Sequence, residues 1–196
     1  EKGLMVSMVS AVSTVPMNEH ERFMGAALAE AAVALKAGEF PVGVVLVADG
    51  DILVRASRRN SQAQSRNEID HAEINALHIL LSDYPQVEPR LVSVYSTMEP
   101  CLMCYSTLLL SGIRRFVWAY EDVMGGGTNL ALQQLNPLYQ AMQVELVARV
   151  RRQESLALFQ QFFREHDYWQ DSLLSQYTLS QHLDQQLSWP FSGESS

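Results

Sequence analysis

The amino-acid sequence predicts an α/β layered domain, a mixed sheet covered by helices on both faces. Three observations predict it. A long Ala- and Leu-rich helical stretch comes first, two Val-rich runs around Asp49-Gly50 follow, and helical and strand patterns then alternate to about residue 166.

Each element has its own reason. HERFMGAALAEAAVALKAGEF (20–40) is rich in good helix formers, has no internal proline and meets Gly38 where a helix would stop. PVGVVLVADGDILVRAS (41–57) reads as a hairpin turning at Asp49-Gly50. RRNSQAQSRNEID (58–70) is a polar loop. HAEINALHILLSDY (71–84) is a helix, with Ile74, Leu77, Leu80 and Leu81 expected on one side. RLVSVYSTM (90–98) alternates like a half-buried strand and runs into Pro100. CLMCYSTLLLSGI (101–113) is a helix ending near Gly112, and RRFVWAY (114–120) another strand. EDVMGGGTNL (121–130) is a glycine-rich loop expected to be mobile. After LNPLYQAM, VELVARV (144–150) is the last strand and QESLALFQQFFREH (153–166) the last amphipathic helix. The stretch beyond His166 is Gln- and Ser-rich yet holds Tyr168, Trp169, Tyr177 and Trp189, so it docks either on the body or on a partner.

At 196 residues the chain reads as one domain: residues 1–17 a tail, 18–165 the globular unit and 166–196 a C-terminal extension. Residues 4–15 are fairly apolar, but Glu1 offsets Lys2, which argues against a secretory signal. No stretch reaches the roughly 20 apolar residues of a membrane span. Two cysteines are too few for a stapled secreted scaffold, so a reducing cytoplasm is expected. The net charge is −8, and residues 165–196 carry five acids and no Lys or Arg. Such a chain is not built to coat a polyanion. Arg55, Arg58, Arg59 and Arg66 could touch nucleic acid, or simply pair with Glu68 and Asp70 on a solvated face.

Both cysteines lie in MEPCLMC (98–104). Taken alone, a CxxC at a helix start is a redox pair or part of a metal site. A structural zinc needs four ligands, and no further cysteine exists. A catalytic zinc needs three plus a water, which Cys101, Cys104 and one of five histidines could supply. His71 stands out because it opens a helix as HAE. His71 and Glu73, at i and i+2, project differently, so one can ligate while the other addresses a bound water. Cys101 and Cys104, at i and i+3, share a helix face. The order H-x-E…P-C-x-x-C is the signature of zinc nucleobase deaminases.

On these motifs the sequence resembles the cytidine-deaminase-like superfamily, and within it bacterial tRNA adenosine deaminases, from about Glu19 to Arg164. EFPVGVVLV, Asn60, HAEINAL, TMEPCLMC, SGIRRFVWA and FFR carry the resemblance. It implies a three-layer α/β/α sandwich on a five-stranded mixed sheet, one Zn2+ per chain and a homodimer or higher oligomer. It implies His71, Cys101 and Cys104 as zinc ligands, Glu73 as general base and then acid, and Asn60 as a hydrogen-bonding partner of the base. Phe40, Pro41, Val42 and Ala72 would line the base pocket. The substrate implied is a nucleobase, most like adenosine in tRNA, with a free base, nucleoside or nucleotide as the alternative. A CxxC redox or non-catalytic zinc protein is the remote third. Two departures stand out. Tyr105, Ser106 and Thr107 replace small residues, and EHDYWQD follows FFR where such enzymes are basic.

Overall fold

The computed structural model describes residues 16–62 and 66–183. The expected tail up to residue 15 and Trp189 lie outside them. Chain order is α1 (Met17–Lys36), β1 (Gly43–Ala48), β2 (Asp51–Ser57), α2 (Ala72–Asp83), β3 (Ser93–Met98), α3 (Leu102–Leu110) and β4 (Arg115–Tyr120). A short α4 (Pro137–Gln140), β5 (Glu145–Val147), α5 (Arg152–Glu165) and α6 (Leu173–Ser180) complete it.

The five strands form one mixed sheet in the order β2-β1-β3-β4-β5. β1 is antiparallel to β2 and β3, while β3, β4 and β5 run parallel. The parallel half follows from its connections: α3 carries the chain from β3 back to the start of β4. The hairpin turn is the expected one. Asp49 and Gly50 have φ of 52° and 82°, the pair of left-handed residues that a two-residue turn needs to match strand twist.

α1 and α5 pack on each other and on the sheet, and α2 and α3 pair on the opposite face. β1 and β3 are buried along their whole length because helices cover both sides. One apolar cluster joins the layers, from Met24 and Leu28 through Val44, Leu46 and Val94 to Phe116, Phe159 and Phe162. Tyr105, one of the departures noted above, is a core residue. It is 1% exposed and meets the Phe116 ring edge-on at 5.0 Å.

Three expectations need correction. Leu81 is 51% exposed, not on the buried side with Ile74, Leu77 and Leu80. It sits one residue past Leu80, about 100° round the helix and outside the buried arc. The last strand spans three residues rather than seven, because Arg149 at φ 65° turns the chain off an edge that pairs only with β4. The glycine loop is pinned rather than loose. Gly127 N–H donates to Pro100 O at 2.9 Å, and Gly126 bridges to Cys101. A Cβ on Gly127 would lie 2.6 Å from the Leu102 Cα, so only glycine lets the loop approach the start of α3 so closely.

The described part of the C-terminal extension, to residue 183, docks on the body. Tyr120 and Thr178 hydroxyls hydrogen-bond at 3.1 Å, and the Gln160 side-chain amide donates to Thr178 O at 3.0 Å. Glu121 accepts from Tyr177 at 2.7 Å and from Arg152 Nε at 2.8 Å, tying β4, α5 and α6 together.

Candidate active site

Two helix starts meet at the site. His71 is the N-cap of α2 and Cys101 the N-cap of α3, both with extended backbone. α2 is held in place by Asn75, whose amide donates to Ser57 O and Asp70 O at 3.2 Å each. α3 is held by the glycine loop and by Glu99, which accepts from Asp122 N–H at 3.2 Å and from the Thr128 hydroxyl.

His71 Nδ1 lies 3.5 Å from Cys101 Sγ and 3.4 Å from Cys104 Sγ. The three ligand atoms lie within 4.8 Å of one another, and no other such cluster occurs among the described residues. A tetrahedral zinc with bonds of about 2.0 Å to nitrogen and 2.3 Å to sulfur would hold N and S about 3.6 Å apart. The donors fit the ion in kind and in spacing. Both cysteines are free thiols. The other histidines are used elsewhere or face solvent. His20 pairs with the Tyr95 hydroxyl at 3.0 Å, His166 stacks on Phe162, and His78 and His182 are exposed.

The electrostatics follow from burial and from these contacts. The Cys104 thiol, then His71, pull the Cys101 thiol down to about 4 despite its burial. Hydrogen bonding to that thiolate, together with burial, pushes Cys104 up. Burial works against the His71 cation, but its hydrogen bond to Cys101 and the charge of Glu73 outweigh it and raise its pKa. Glu73 is 3% exposed, and burial pushes its carboxyl up. The Ser96 hydroxyl on β3 donates to it at 3.4 Å.

A cavity of about 100 Å³ opens beside these groups. Of the expected pocket residues, Phe40, Val42 and Ala72 line it with His71, Glu73 and Cys101. Pro41 and Asn60 are not among its lining residues. Asn60, at φ 54°, donates its amide to Asp70 at 2.5 Å. Phe40 is seated from both sides. Its N–H donates to Ser61 Oγ at 2.8 Å, and its ring meets Phe159, Phe162 and Phe163 of α5.

Several lining groups were missed in the sequence, among them Arg58, Asp122, Tyr168 and Trp169. Arg58 reads as a solvated arginine, yet it is 2% exposed, gives Glu68 one bond at 3.2 Å, and keeps an unpartnered, buried Nε. The signal that could have found the aromatic pair was the exchange of basic residues for DYW after FFR.

The family profile described as the zinc-binding region of cytidine and deoxycytidylate deaminases matches residues 17–120. A tRNA-specific adenosine deaminase of Bacillus subtilis is 31% identical over 149 residues, 76% of this chain and 91% of that protein. One of Agrobacterium fabrum is 30% identical over 150 residues, 76% of this chain and 97% of the relative. Among solved structures, one from work on A-to-I editing by tRNA deaminases at the wobble position superposes with a TM-score of 0.58 at 26% identity. It covers 70% of this chain and 98% of its own. A guanine deaminase from Nitrosomonas europaea shares the fold, with a TM-score of 0.57 at 17% identity over 82% of this chain and 98% of its own. With the His71, Cys101 and Cys104 cluster inside the matched region, the chain belongs to the zinc-binding cytidine and deoxycytidylate deaminase family and is a zinc-dependent hydrolase of C–N bonds.

Proposed function

We propose that this chain hydrolytically deaminates a nucleobase, and the names of its relatives support an adenosine of transfer RNA as the substrate. The carrying observation is one buried carboxylate beside three converging metal-ligand atoms at the floor of a base-sized cavity. His71, Cys101 and Cys104 would hold a zinc ion, which would lower the pKa of a water toward ~7. Glu73 lies outside that ligand set, two residues along the same helix start. It accepts a proton from the attacking water and passes it to the ring nitrogen, then takes the second from the hydroxyl left on the ring carbon and passes it to the departing ammonia. Phe40, Val42 and Met98 keep bulk water from the ring.

One observation favours a second substrate, a free base or nucleoside. The cavity and the groove at its mouth share Met124 and Trp169, and together they carry Glu99, Asp122, Asp167 and Asp171. Their two arginines, Arg58 and Arg66, are both already paired with Glu68. A phosphodiester at this mouth would meet more acids than cations, since the two arginines share the one Glu68 carboxylate. Ammonia release measured across free bases, nucleosides, nucleotides and transfer RNA separates the two substrates. No release from any of them would overturn the deaminase reading.

Two coarser inferences accompany it. Leu81, Leu102 and Leu110, exposed on the neighbouring helices α2 and α3, support a homodimer or higher oligomer, which light scattering tests. The free thiols support a reducing, cytoplasmic setting. No helix among the described residues is long and apolar enough to cross a membrane.

A further inference from the structure

We propose that Tyr168 and Trp169 form a substrate-binding wall of the pocket, with the exposed part of the Trp169 indole as the face on which the substrate base stacks. The proposal rests on the deaminase reading above. Both rings line the same cavity as Glu73 and Cys101. They stack on each other at 5.2 Å and 12°, and both lean on Phe40, at 5.5 and 6.4 Å.

The wall is fixed at both ends. On one side the Tyr168 hydroxyl reaches Glu68 at 3.5 Å, the carboxylate that also takes Arg58, while the Arg66 guanidinium sits 5.2 Å from the Tyr168 ring centroid. On the other side the chain enters α6, where Leu174 lines the cavity and Tyr177 and Thr178 are bonded to the body. A wall held this way is pre-organised, so binding does not have to order it.

Trp169 differs from its neighbours in ways that packing alone does not explain. It is 39% exposed, although Phe40, Phe162 and Leu174 beside it are buried. Its φ of 50° places a bulky residue in the left-handed region, where the Cβ crowds the following carbonyl. It belongs to both the inner cavity and the outer groove, so the indole stands at the mouth. A cavity of about 100 Å³ is small beside the roughly 300–1,000 Å³ of ordinary ligand sites. It suits a flat ring system whose outer face meets the indole at the mouth. Every base offers a π face, whether free or in RNA.

The test uses the zinc-loaded full chain. Stacking of a base on an aromatic ring predicts that Trp169→Ala raises KM about 5- to 100-fold. Turnover should stay within about twofold, and Trp169→Phe should recover most of the loss. Free base and transfer RNA, run as separate arms, identify the source of the base. Titration with the deaminated product base should quench tryptophan fluorescence in the wild type. Trp169→Phe should abolish that quench, although Trp118 and Trp189 remain. An unchanged KM in Trp169→Ala, or an undiminished quench in Trp169→Phe, overturns the wall. Should Trp169→Ala detach the segment, shown by a lowered melting temperature, the better-packed Trp169→Phe decides by its quench. Absence of ammonia from the wild type sinks the deaminase reading instead, and the quench, which needs no turnover, still decides the wall.

Discussion

His71 and Glu73 stand two residues apart at one helix start, and that offset separates their tasks. The imidazole faces the two sulfurs, whereas the carboxylate lies buried against Ser96. Replacing Glu73 by Gln keeps the shape and removes the proton carrier. Ammonia release should fall by about 10²–10⁴-fold while metal analysis still finds about one zinc per chain. Cys104→Ser should instead lose the zinc, because a hydroxyl replaces a buried thiolate ligand. The convergence of these residues was legible in the sequence because helix periodicity sets the geometry within each motif. Asn60 shows where that reading stops. Its resemblance to a base-contacting asparagine is a matter of position in the chain, and its amide is engaged by Asp70. Arg58 was equally hidden, since no local pattern marks an arginine that folds back onto Asn67 and Glu68 of its own loop and ends 2% exposed.

Among the elements, the segment after α5 is held by two devices, and each can be tested. Phe40 is the hub of an aromatic cluster that joins the FPV segment to α5 and to Tyr168 and Trp169. Phe40→Ala should cost about 3–5 kcal/mol, read by denaturant unfolding, and should loosen the pocket wall with it. The second device is the Glu121–Arg152–Tyr177 junction. Burial opposes the Glu121 charge, but hydrogen bonds from Arg152 and Tyr177 overcome it and hold the carboxyl at about 2. The unfolded-state value is 4.5, so this stabilisation is present above that pH and is lost as pH falls toward 2. It is on the order of 3 kcal/mol at neutral pH, Glu121 being only 16% exposed. Melting of wild type and Glu121→Gln should differ clearly at pH 6, and the difference should shrink below about pH 4.5 and close only as the pH approaches 2. The main elements up to α5 were visible from periodicity and turn residues, whereas α6, in a stretch that reads as a Gln- and Ser-rich tail, was not. The shortened β5 was not, because pairing on one side only is a property of the finished sheet.

For the molecule as a whole, zinc and fold are coupled. The ligands come from α2 and α3, so the ion joins two helices on one face of the sheet. Removing it with a chelator should lower the melting temperature by roughly 10 °C, as expected for loss of a ligand present at about 1,000 times its dissociation constant, and zinc should restore it. The sequence by itself determined the α/β class, the order of elements and the metal chemistry. All of these are written in short-range spacing, which the 3.6-residue helical and two-residue strand periods translate directly into geometry. Only the tertiary structure decided what encloses the pocket. Tyr168 and Trp169 come to Glu73 from nearly a hundred residues along the chain, through packing on Phe40 and α5. No local period encodes such a contact. It exists because docking the C-terminal segment buries apolar surface that the rest of the fold leaves open.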